Sequence, residues 1–429
     1  MTVVAIDLGT TWTAAASLED GSASPVSLSD RHPTMPSVVA RVGGDWLSGD
    51  AAARALTADP TCGAREVKRR FGDTTPMIID GEPFGAERLQ AELLRSVLTT
   101  APAGSAVVLT HPANWGDYKL DLLRDAARVA GCGEVTLISE PAAAAVHFAA
   151  AGRLAVGERI ATYDLGGGTF DAAVVELTAD GPMVIGTPEG LERFGGLDID
   201  QLVFAHVVAC LDGVLAELDS SDPQVREGIA RLRSECTAAK EALSADSEVS
   251  IPVVLPGLDT EVRMTRSELE GALRPRLDDT LAALDRAIAS AGLNASDLAA
   301  IVLVGGSSRI PVVSELVSAH TGRPTRFDAE PKLVVAMGAA LSTAAPVDAP
   351  AAVSSPTDTE PTRETTVAES TPSDAPTTAA ATPPAAPHRS AEHPAATSEG
   401  DEEAVRGAES GRRCGSRRRG RWRGCGLRR

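Results

Sequence analysis

The sequence predicts an α/β fold made of two similar lobes, and two observations support this. Apolar segments with the spacing of strands alternate along the chain with segments whose apolar residues have helical spacing. In addition, one short pattern occurs twice: an apolar strand that ends in aspartate, a turn of glycine and threonine, and a second strand. Two matching turns in one folded region favour duplicated lobes that face each other across a cleft.

The predicted elements cover residues 2 to about 343. We expect strands at 2–7, 36–41, 106–110, 135–138, 159–164, 171–177, 248–255 and 300–304. We expect helices at 86–99, 117–131, 141–151, 198–218, 224–243 and 266–291. For the last helix, Thr265 and Glu268 stand in capping-box register, Pro275 is expected to kink it, and Gly292 to end it.

Charge and cysteine content exclude several classes of protein. The chain of 429 residues has a formal net charge of −19, and this acidic balance argues against general nucleic-acid binding by the folded part. None of the six cysteines forms a CxxC pair, so we expect free thiols in a reducing compartment. The first residues show no basic signal-peptide region, and no apolar run reaches the roughly 18 residues of a membrane helix. We therefore expect a cytoplasmic protein with no membrane span.

The composition changes sharply near Ala344. Residues 344–411 consist largely of Pro, Ala, Thr, Ser and Glu, and we expect this segment to be disordered because it has too little apolar surface to bury. Residues 412–429 contain nine arginines and no acid. This basic tail could bind anionic lipid or nucleic acid, could be solvated without a partner, or could result from out-of-frame translation of GC-rich DNA. We favour the last two interpretations, and the DNA sequence would decide.

A third glycine turn follows a buried strand at residues 301–304. Gly305 and Gly306 would let the backbone approach a ligand closely, and the start of the next helix would present free N–H groups to it. We expect Ser307 or Ser308 to cap this helix, with Pro311 in its first turn.

Four segments in order, IDLGTTW, YDLGGGTFD, LISEPAAAAV and IVLVGGSSRIP, resemble the nucleotide-binding domain of the DnaK-type 70-kDa heat-shock protein family. The resemblance covers about residues 2–343. It implies an actin/hexokinase-like ATPase fold whose two lobes, at about 1–156 and 157–343, each carry an inserted subdomain and close over Mg·ATP. It also implies slow hydrolysis of ATP to ADP and phosphate, a switch between open and closed lobes, and a J-domain co-chaperone or a nucleotide-exchange factor as partner.

The resemblance also assigns roles to the residues that bind phosphate and magnesium. Asp7 and Asp164, one from each lobe, would hold Mg²⁺ mainly through its waters. Glu140 would help position the attacking water, and Asp171 would order that water or the metal-bound waters. Lys68 would neutralise charge on the transferring phosphoryl group, and Thr169 would be both a catalytic residue and a phosphate donor. The phosphate contacts would come from the two matching turns: Gly9, Thr10, Thr11, Trp12, Gly166, Gly167, Gly168 and Thr169.

Near the phosphates, the turn Gly195-Gly196-Leu197-Asp198 resembles the family's Gly-Gly-Glu-Asp turn, with Leu197 in place of the glutamate. On the adenosine side, the resemblance implies contacts from Lys240 and Ser244, and from Gly305, Gly306, Ser307 and Arg309. Arg309 would stack on the adenine. The arginine that stacks on the other face in the family is Glu241 here, and Thr237 replaces a glutamate. Because one cationic plane is lost, we expect weaker binding of the purine.

Two further departures concern regulation. Pro112 matches the proline that senses the nucleotide state in this family, but its partner arginine is Leu120 here. No apolar linker or peptide-binding β-sandwich is recognisable after Leu341. We therefore expect an accessory or regulatory chaperone function rather than a complete folding machine.

Simpler interpretations of single residues stay open from the sequence alone. Asp7 could be a turn residue at a strand end, and Glu140 could be a helix-start acid favoured by the helix dipole. The cluster Lys68–Arg70 could be a solvated face. Three rival functions also stay open: a non-hydrolysing ATP sensor, an actin-like filament protein, and a sugar or metabolite kinase of the same superfold.

Overall fold

The computed structural model describes residues 2–30, 32–102 and 104–344, so the basic tail and all of the Pro/Ala/Thr/Ser-rich segment except Ala344 lie outside the described residues. The strands are β1 Val3–Leu8, β2 Trp12–Glu19, β3 Ser22–Pro25, β4 Met35–Pro36, β5 Val39–Val42, β6 Asp45–Ser48, β7 Gly63–Ala64, β8 Met77–Ile79, β9 Glu82–Phe84, β10 Ala106–His111, β11 Val135–Ser139, β12 Arg159–Leu165, β13 Phe170–Thr178, β14 Gly181–Leu191, β15 Glu248–Leu255, β16 Leu258–Thr265, β17 Ala300–Val304 and β18 Thr325–Arg326. The α-helices are α1 Gly49–Ala58, α2 Ala86–Thr100, α3 Asp117–Ala130, α4 Glu140–Ala150, α5 Gly196–Cys210, α6 Pro223–Ala242, α7 Arg266–Ser290, α8 Pro311–Thr321 and α9 Val334–Leu341.

Two large sheets share one topology. The first has the order β3-β2-β1-β10-β11, with β4 paired to β2, and the second has the order β14-β13-β12-β17-β18. In each sheet three antiparallel strands are followed by two parallel ones: β1 and β12 pair in parallel with β10 and β17, and these pair in parallel with β11 and β18. The repeated order of pairings confirms the duplication inferred from the two turns. The fold is of the actin/hexokinase-like ATPase type, and the lobe boundary near residue 156 stays a prediction.

The helices cover the sheets and form three main hydrophobic clusters. One cluster joins the second sheet to α5, α6, α7 and α8, and another joins the first sheet to α2 and α3. The third is built largely from alanine and valine, and it joins strands of both sheets to α4 and α9. Because α4 contacts both sheets and packs against α9, which contacts the first sheet, the two helices fix the place where the ends of β1 and β12 meet.

Most predicted elements are present, but the helix predicted at 198–218 was too long. Helix α5 ends at Cys210, and a short 3₁₀ turn at Val214–Glu217 follows. The chain turns at Asp212 and Gly213, whose φ values of 48° and 83° are incompatible with a continuing helix. The strand predicted at 36–41 is also interrupted, since β4 ends at Pro36 and β5 begins at Val39.

Predictions about helix ends had mixed outcomes. The capping box of α7 is confirmed, because the Glu268 N–H donates to Thr265 Oγ1 at 3.2 Å and the Thr265 N–H donates to Glu268 Oε2 at 2.8 Å. Helix α7 continues through Pro275, and Gly292 follows its end at a φ of 71°.

The expectation that Ser307 or Ser308 caps α8 was wrong. Ile310 precedes the helix and makes no side-chain cap, while Pro311 is the first helical residue as expected. The two serines lie in a 3₁₀ turn at Gly306–Arg309, and their hydroxyls donate to strand-end carbonyls instead.

Two other expectations can be compared with the described residues. Within them, no helix is both long and apolar enough to cross a membrane. Cys62, Cys132 and Cys236 are free thiols, as expected.

The crossing of α4 and α9 gives a prediction about stability. A Cβ atom added to Gly338 would lie 1.8 Å from the carbonyl oxygen of Ala143, so Gly338→Ala must push the two helices apart. We expect it to lower the free energy of unfolding by about 2 kcal/mol or more, measured by denaturant titration.

The matched control is Gly271→Ala. Gly271 lies on the exposed face of α7 with no atom within 4 Å of the added Cβ, so this change should stabilise the protein by about 0.5–1 kcal/mol. A neutral Gly338→Ala would contradict the close helix crossing.

Candidate functional site

The two glycine-threonine turns pack directly against each other. A Cβ atom on Gly167 would lie 2.1 Å from Thr11 Oγ1, and one on Gly168 would lie 2.4 Å from Thr10 Cγ2. Glycine is therefore required at both positions, since any side chain would separate the turns. The segments predicted to bind the β- and γ-phosphates, including Gly9, thus meet at one point between the two sheets.

The turn at Gly195–Asp198 packs on the other side of the second hairpin. The Gly196 N–H donates to the Gly166 carbonyl at 2.9 Å, and the Leu197 N–H donates to the Gly167 carbonyl at 2.8 Å. A Cβ atom on Gly195 would lie 2.6 Å from the Gly168 nitrogen. Backbone hydrogen bonds therefore couple the start of α5 to the second turn.

The third glycine turn reaches the same hairpin. The Ser307 hydroxyl donates to the Gly166 carbonyl at 3.0 Å. Gly305 has a φ of 81°, and a Cβ atom on it would lie 2.4 Å from the Leu165 carbonyl oxygen and 2.5 Å from Asp164 Oδ1. All the predicted glycine turns therefore converge on residues 166–168.

Lys68 lies among carboxylates on the first lobe's side of this junction. Its ammonium donates to Glu140 Oε1 at 2.6 Å and lies 3.9 Å from Asp7 Oδ1. The Thr110 hydroxyl donates to the same Asp7 oxygen at 2.8 Å. Three strand or helix ends, those of β1, β10 and α4, therefore hold these groups together.

Two further carboxylates come from the second hairpin. Asp164 and Asp171 are cross-strand partners on β12 and β13. The Asn114 side-chain amide, from the first lobe's side, donates to Asp171 Oδ1 at 3.2 Å. A cavity lined in part by Pro112, Asn114, Glu140, Asp164 and Asp171 adjoins this group. Pro112 thus lies beside the carboxylates, while Leu120 lies in α3.

Burial makes the negative charges in this cluster unfavourable. Loss of hydration raises the pKa of Asp7 to about 6, against the lowering effect of Lys68, and raises the pKa of Asp171 to about 7. Burial and the neighbouring acids also raise the pKa of Asp164 well above its ordinary value. For Lys68, burial lowers the pKa, but Glu140 and Asp7 outweigh it and the net pKa is raised.

The cluster fits a magnesium-bound nucleotide. Four buried or partly buried carboxylates face a single ammonium group, so a divalent cation would offset their mutual repulsion. The glycine turns leave backbone N–H groups beside the carboxylates, which is the donor type that phosphate oxygens bind. Within the described residues, no three His, Cys, Asp or Glu side chains are grouped closely enough to ligate one ion directly.

Sequence reasoning missed Arg69. Its Nε donates to the Gly168 carbonyl at 2.9 Å, and its Nη2 donates to Asp198 Oδ2 at 2.6 Å. The interpretation of Lys68–Arg70 as a solvated face therefore holds only for Arg70, which pairs with Asp73 at the surface. These residues form a 3₁₀ turn, in which successive side chains point about 120° apart, so they cannot share one face.

The residues predicted for the adenosine side lie around the third turn and the end of α6. Lys240 donates to the Gly196 carbonyl at 3.3 Å and pairs with Asp200 at 2.8 Å. Arg309 and Glu241 are exposed, and Ser244 follows the end of α6 with partial burial. Asp200 was missed, although it stands two residues after Asp198 in the sequence.

The raised pKa values predict an unusual pH dependence. Between pH 3.8, the ordinary pKa of Asp171, and its folded value of about 7, the folded state binds more protons than the unfolded chain. The free energy of unfolding therefore falls as the pH rises through this range. Compared with Asp171→Asn, the metal-free wild type should lose on the order of 2 kcal/mol between pH 5 and pH 8 in denaturant titrations.

The control for this prediction is Asp180→Asn, at an exposed turn position between β13 and β14. It should keep the pH dependence of the wild type. If Asp171→Asn also kept it, the buried carboxylate would not be the source.

Arg69 gives a second prediction about the site. Arg69→Gln removes the hydrogen bonds to Gly168 and Asp198, so amide exchange at residues 166–170 should become about tenfold faster. The neighbouring Arg70→Gln, which loses an exposed ion pair with Asp73 and an exposed hydrogen bond to the Thr75 carbonyl, should leave the exchange unchanged. Equal exchange in both variants would show that Arg69 does not hold the two turns together.

Comparison with known families agrees with this geometry. The family model described as Hsp70 protein matches residues 73–354, which is more than half of the chain. The match includes Glu140, the second and third turns and α6, while the first turn and Lys68 precede it. Hsp70 proteins bind ATP or ADP with Mg²⁺, and their matched domain is an ATPase domain. The chain belongs to the Hsp70 family.

Proposed function

We propose that this chain binds Mg·ATP at the junction of the two turns, hydrolyses it slowly, and acts as a nucleotide-dependent switch with a chaperone-like role. The observation that supports this best is the cluster of Lys68, Glu140, Asp7 and Asp164 beside two glycine turns. A solvated basic face does not explain a lysine with a 13% exposed side chain and two acidic partners. The cluster has the charges that phosphoryl transfer requires.

In this proposal the turn residues bind the phosphates. Thr10, Thr11, Gly167 and Gly168 are in contact here, so they separate enough to admit the phosphate groups and then close on them from both sides. Thr169 contributes its hydroxyl, which now lowers the pKa of Asp171 by a hydrogen bond. The turns supply N–H and hydroxyl donors that are already in place, which is the least costly way to stabilise phosphate charge.

The carboxylates orient water. Asp7 and Asp164 hold a hydrated Mg²⁺, which neutralises charge on the β- and γ-phosphates when it is bound. Glu140 and Asp171 accept hydrogen bonds from water in the adjoining cavity and direct one molecule toward the γ-phosphorus. Lys68 is fixed by Glu140 and keeps its proton, so it stabilises negative charge on the transferred group without acting as a base.

The switch follows from contacts that cross the junction. Arg69 with Gly168, and Asn114 with Asp171, join the two lobes through side-chain hydrogen bonds. Nucleotide groups that compete for these partners shift the balance between closed and open arrangements. Pro112, beside Glu140 and Asp171, is positioned to follow that change. A J-domain co-chaperone or an exchange factor would act on the same equilibrium.

One rival function has a specific observation in its favour. Glu241 stands at the end of α6, where an arginine would stack on the adenine, and it leaves Arg309 as the single predicted stacking partner. Weaker binding of the purine suits a non-hydrolysing ATP sensor. Single-turnover hydrolysis separates this rival from the ATPase.

The direct test is Lys68→Ala. Removal of the ammonium should lower single-turnover hydrolysis by about a hundredfold or more, while calorimetry still shows ATP binding. Lys119→Ala is the control, because Lys119 lies over the Trp115 ring and outside the carboxylate cluster. Turnover of Lys68→Ala at the wild-type rate would reject the catalytic role, and a wild type that binds but never hydrolyses ATP would favour the sensor.

A further inference from the structure

Lys332 lies beside the first glycine-threonine turn, although it is far from that turn in sequence. It lies just before α9, and its ammonium nitrogen is 3.9 Å from the centroid of the Trp12 ring. Trp12 begins β2 directly after the first glycine-threonine turn. A residue that follows the second sheet in sequence therefore lies beside the turn proposed to bind phosphate.

Lys332 also borders the third glycine turn. Its Cε lies 3.8 Å from the position that a Cβ atom on Gly306 would occupy. Burial lowers the pKa of Lys332, Glu241 raises it, and the positive charges of Lys240 and Arg309 lower it again. Lys332, Lys240 and Arg309 thus form a group of three cations between the phosphate and adenosine sides of the site.

The charges in this group are only partly balanced by the protein, because Glu241 and Glu330 act on Lys332 without forming an ion pair with it. Lys240 pairs with Asp200 at 2.8 Å. Within the described part of the chain, neither Lys332 nor Arg309 has a carboxylate oxygen within 4.0 Å. Three neighbouring cations of which only Lys240 forms an ion pair, in a chain of net charge −19, indicate a place where an anion binds.

The contact with Trp12 does not by itself explain why Lys332 lies close to two other cations. A cation over an aromatic ring is held by a modest attraction, which leaves the like-charge repulsion with Lys240 and Arg309 in place. An ammonium–phosphate contact removes that repulsion as well as forming charge-assisted hydrogen bonds. The placement of the ammonium over the Trp12 ring is therefore best explained as its resting position in the absence of the anion.

We propose that Lys332 is a nucleotide-binding residue whose ammonium moves from the Trp12 ring to the α- and β-phosphates. This inference rests on the proposed function. The Lys332 ammonium lies between the Gly306 turn and the first glycine-threonine turn, so the phosphates nearest the adenosine are the ones that it would contact. Lys332 thereby replaces part of the binding energy that is lost where Glu241 stands in place of a stacking arginine.

Calorimetric titration of adenosine, AMP, ADP and ATP into the wild type, Lys332→Ala and Lys332→Arg tests the proposal. Lys332→Ala should weaken ADP binding about tenfold, leave adenosine binding unchanged, and show a smaller dependence on salt concentration. Lys332→Arg should keep most of the ADP affinity, because the charge is retained. Lys119→Ala, a second lysine over a tryptophan ring, should bind all four ligands as the wild type does.

A fluorescence measurement reports the movement separately from affinity. Saturating ADP should change the emission of Trp12 in the wild type, identified by its loss in Trp12→Phe, and this change should be absent from Lys332→Ala. Equal ADP affinity in wild type and Lys332→Ala would overturn the inference and leave the proposed function intact. Equal weakening for adenosine and ADP would also overturn it, since the lysine would then only support Trp12. A folded wild type that binds none of the four ligands would overturn the inference together with the proposed function.

Discussion

The close approach of two glycine turns is the constraint on which the rest of this structure depends. Gly167 and Gly168 touch Thr11 and Thr10 without room for a side chain, and this contact brings the ends of β1 and β12 together. Strands that end in aspartate consequently deliver their carboxylates to one buried point. The small residues of α4 and α9 lie in one hydrophobic cluster with strands of both sheets, and this packing also keeps the two glycine turns close together. A larger side chain at any of these positions would push the lobes apart and so change the geometry of the site.

This geometry has an electrostatic consequence. Burial raises the pKa values of Asp7, Asp164 and Asp171, so the fold gives up stability to keep these acids where they are. Lys68 offsets only part of that cost, because it is a single charge among four carboxylates. Groups arranged at the expense of stability are common at functional sites, and here a hydrated divalent cation with phosphate is the partner that would restore the balance.

The sequence was sufficient for the parts of the structure that depend on local pattern. Strand ends in Asp-Leu-Gly, the capping box at Thr265, and Pro311 at a helix start are specified by neighbouring residues, and they appear as predicted. A second strand after the first turn was expected from the repeated pattern, but its bounds were not predicted, because its alanine-rich sequence has no strand preference and pairing with β1 decides them. Arg69 and Lys332 were missed for a related reason: each acts on residues far away in sequence, Gly168 and Trp12, which only the folded chain brings near. The interpretation of Ser307 as a helix cap failed because its hydroxyl finds a distant carbonyl, at Gly166, in place of a local N–H.

The most direct test of the central claim is calorimetry of Mg·ATP binding near pH 6.5 in two buffers with different ionisation heats. The account predicts saturable binding that requires Mg²⁺ and releases protons, because the cation lowers the raised pKa values of Asp7 and Asp171. A folded protein that produces no heat with Mg·ATP, or that binds ATP equally well without magnesium and without proton release, would contradict it.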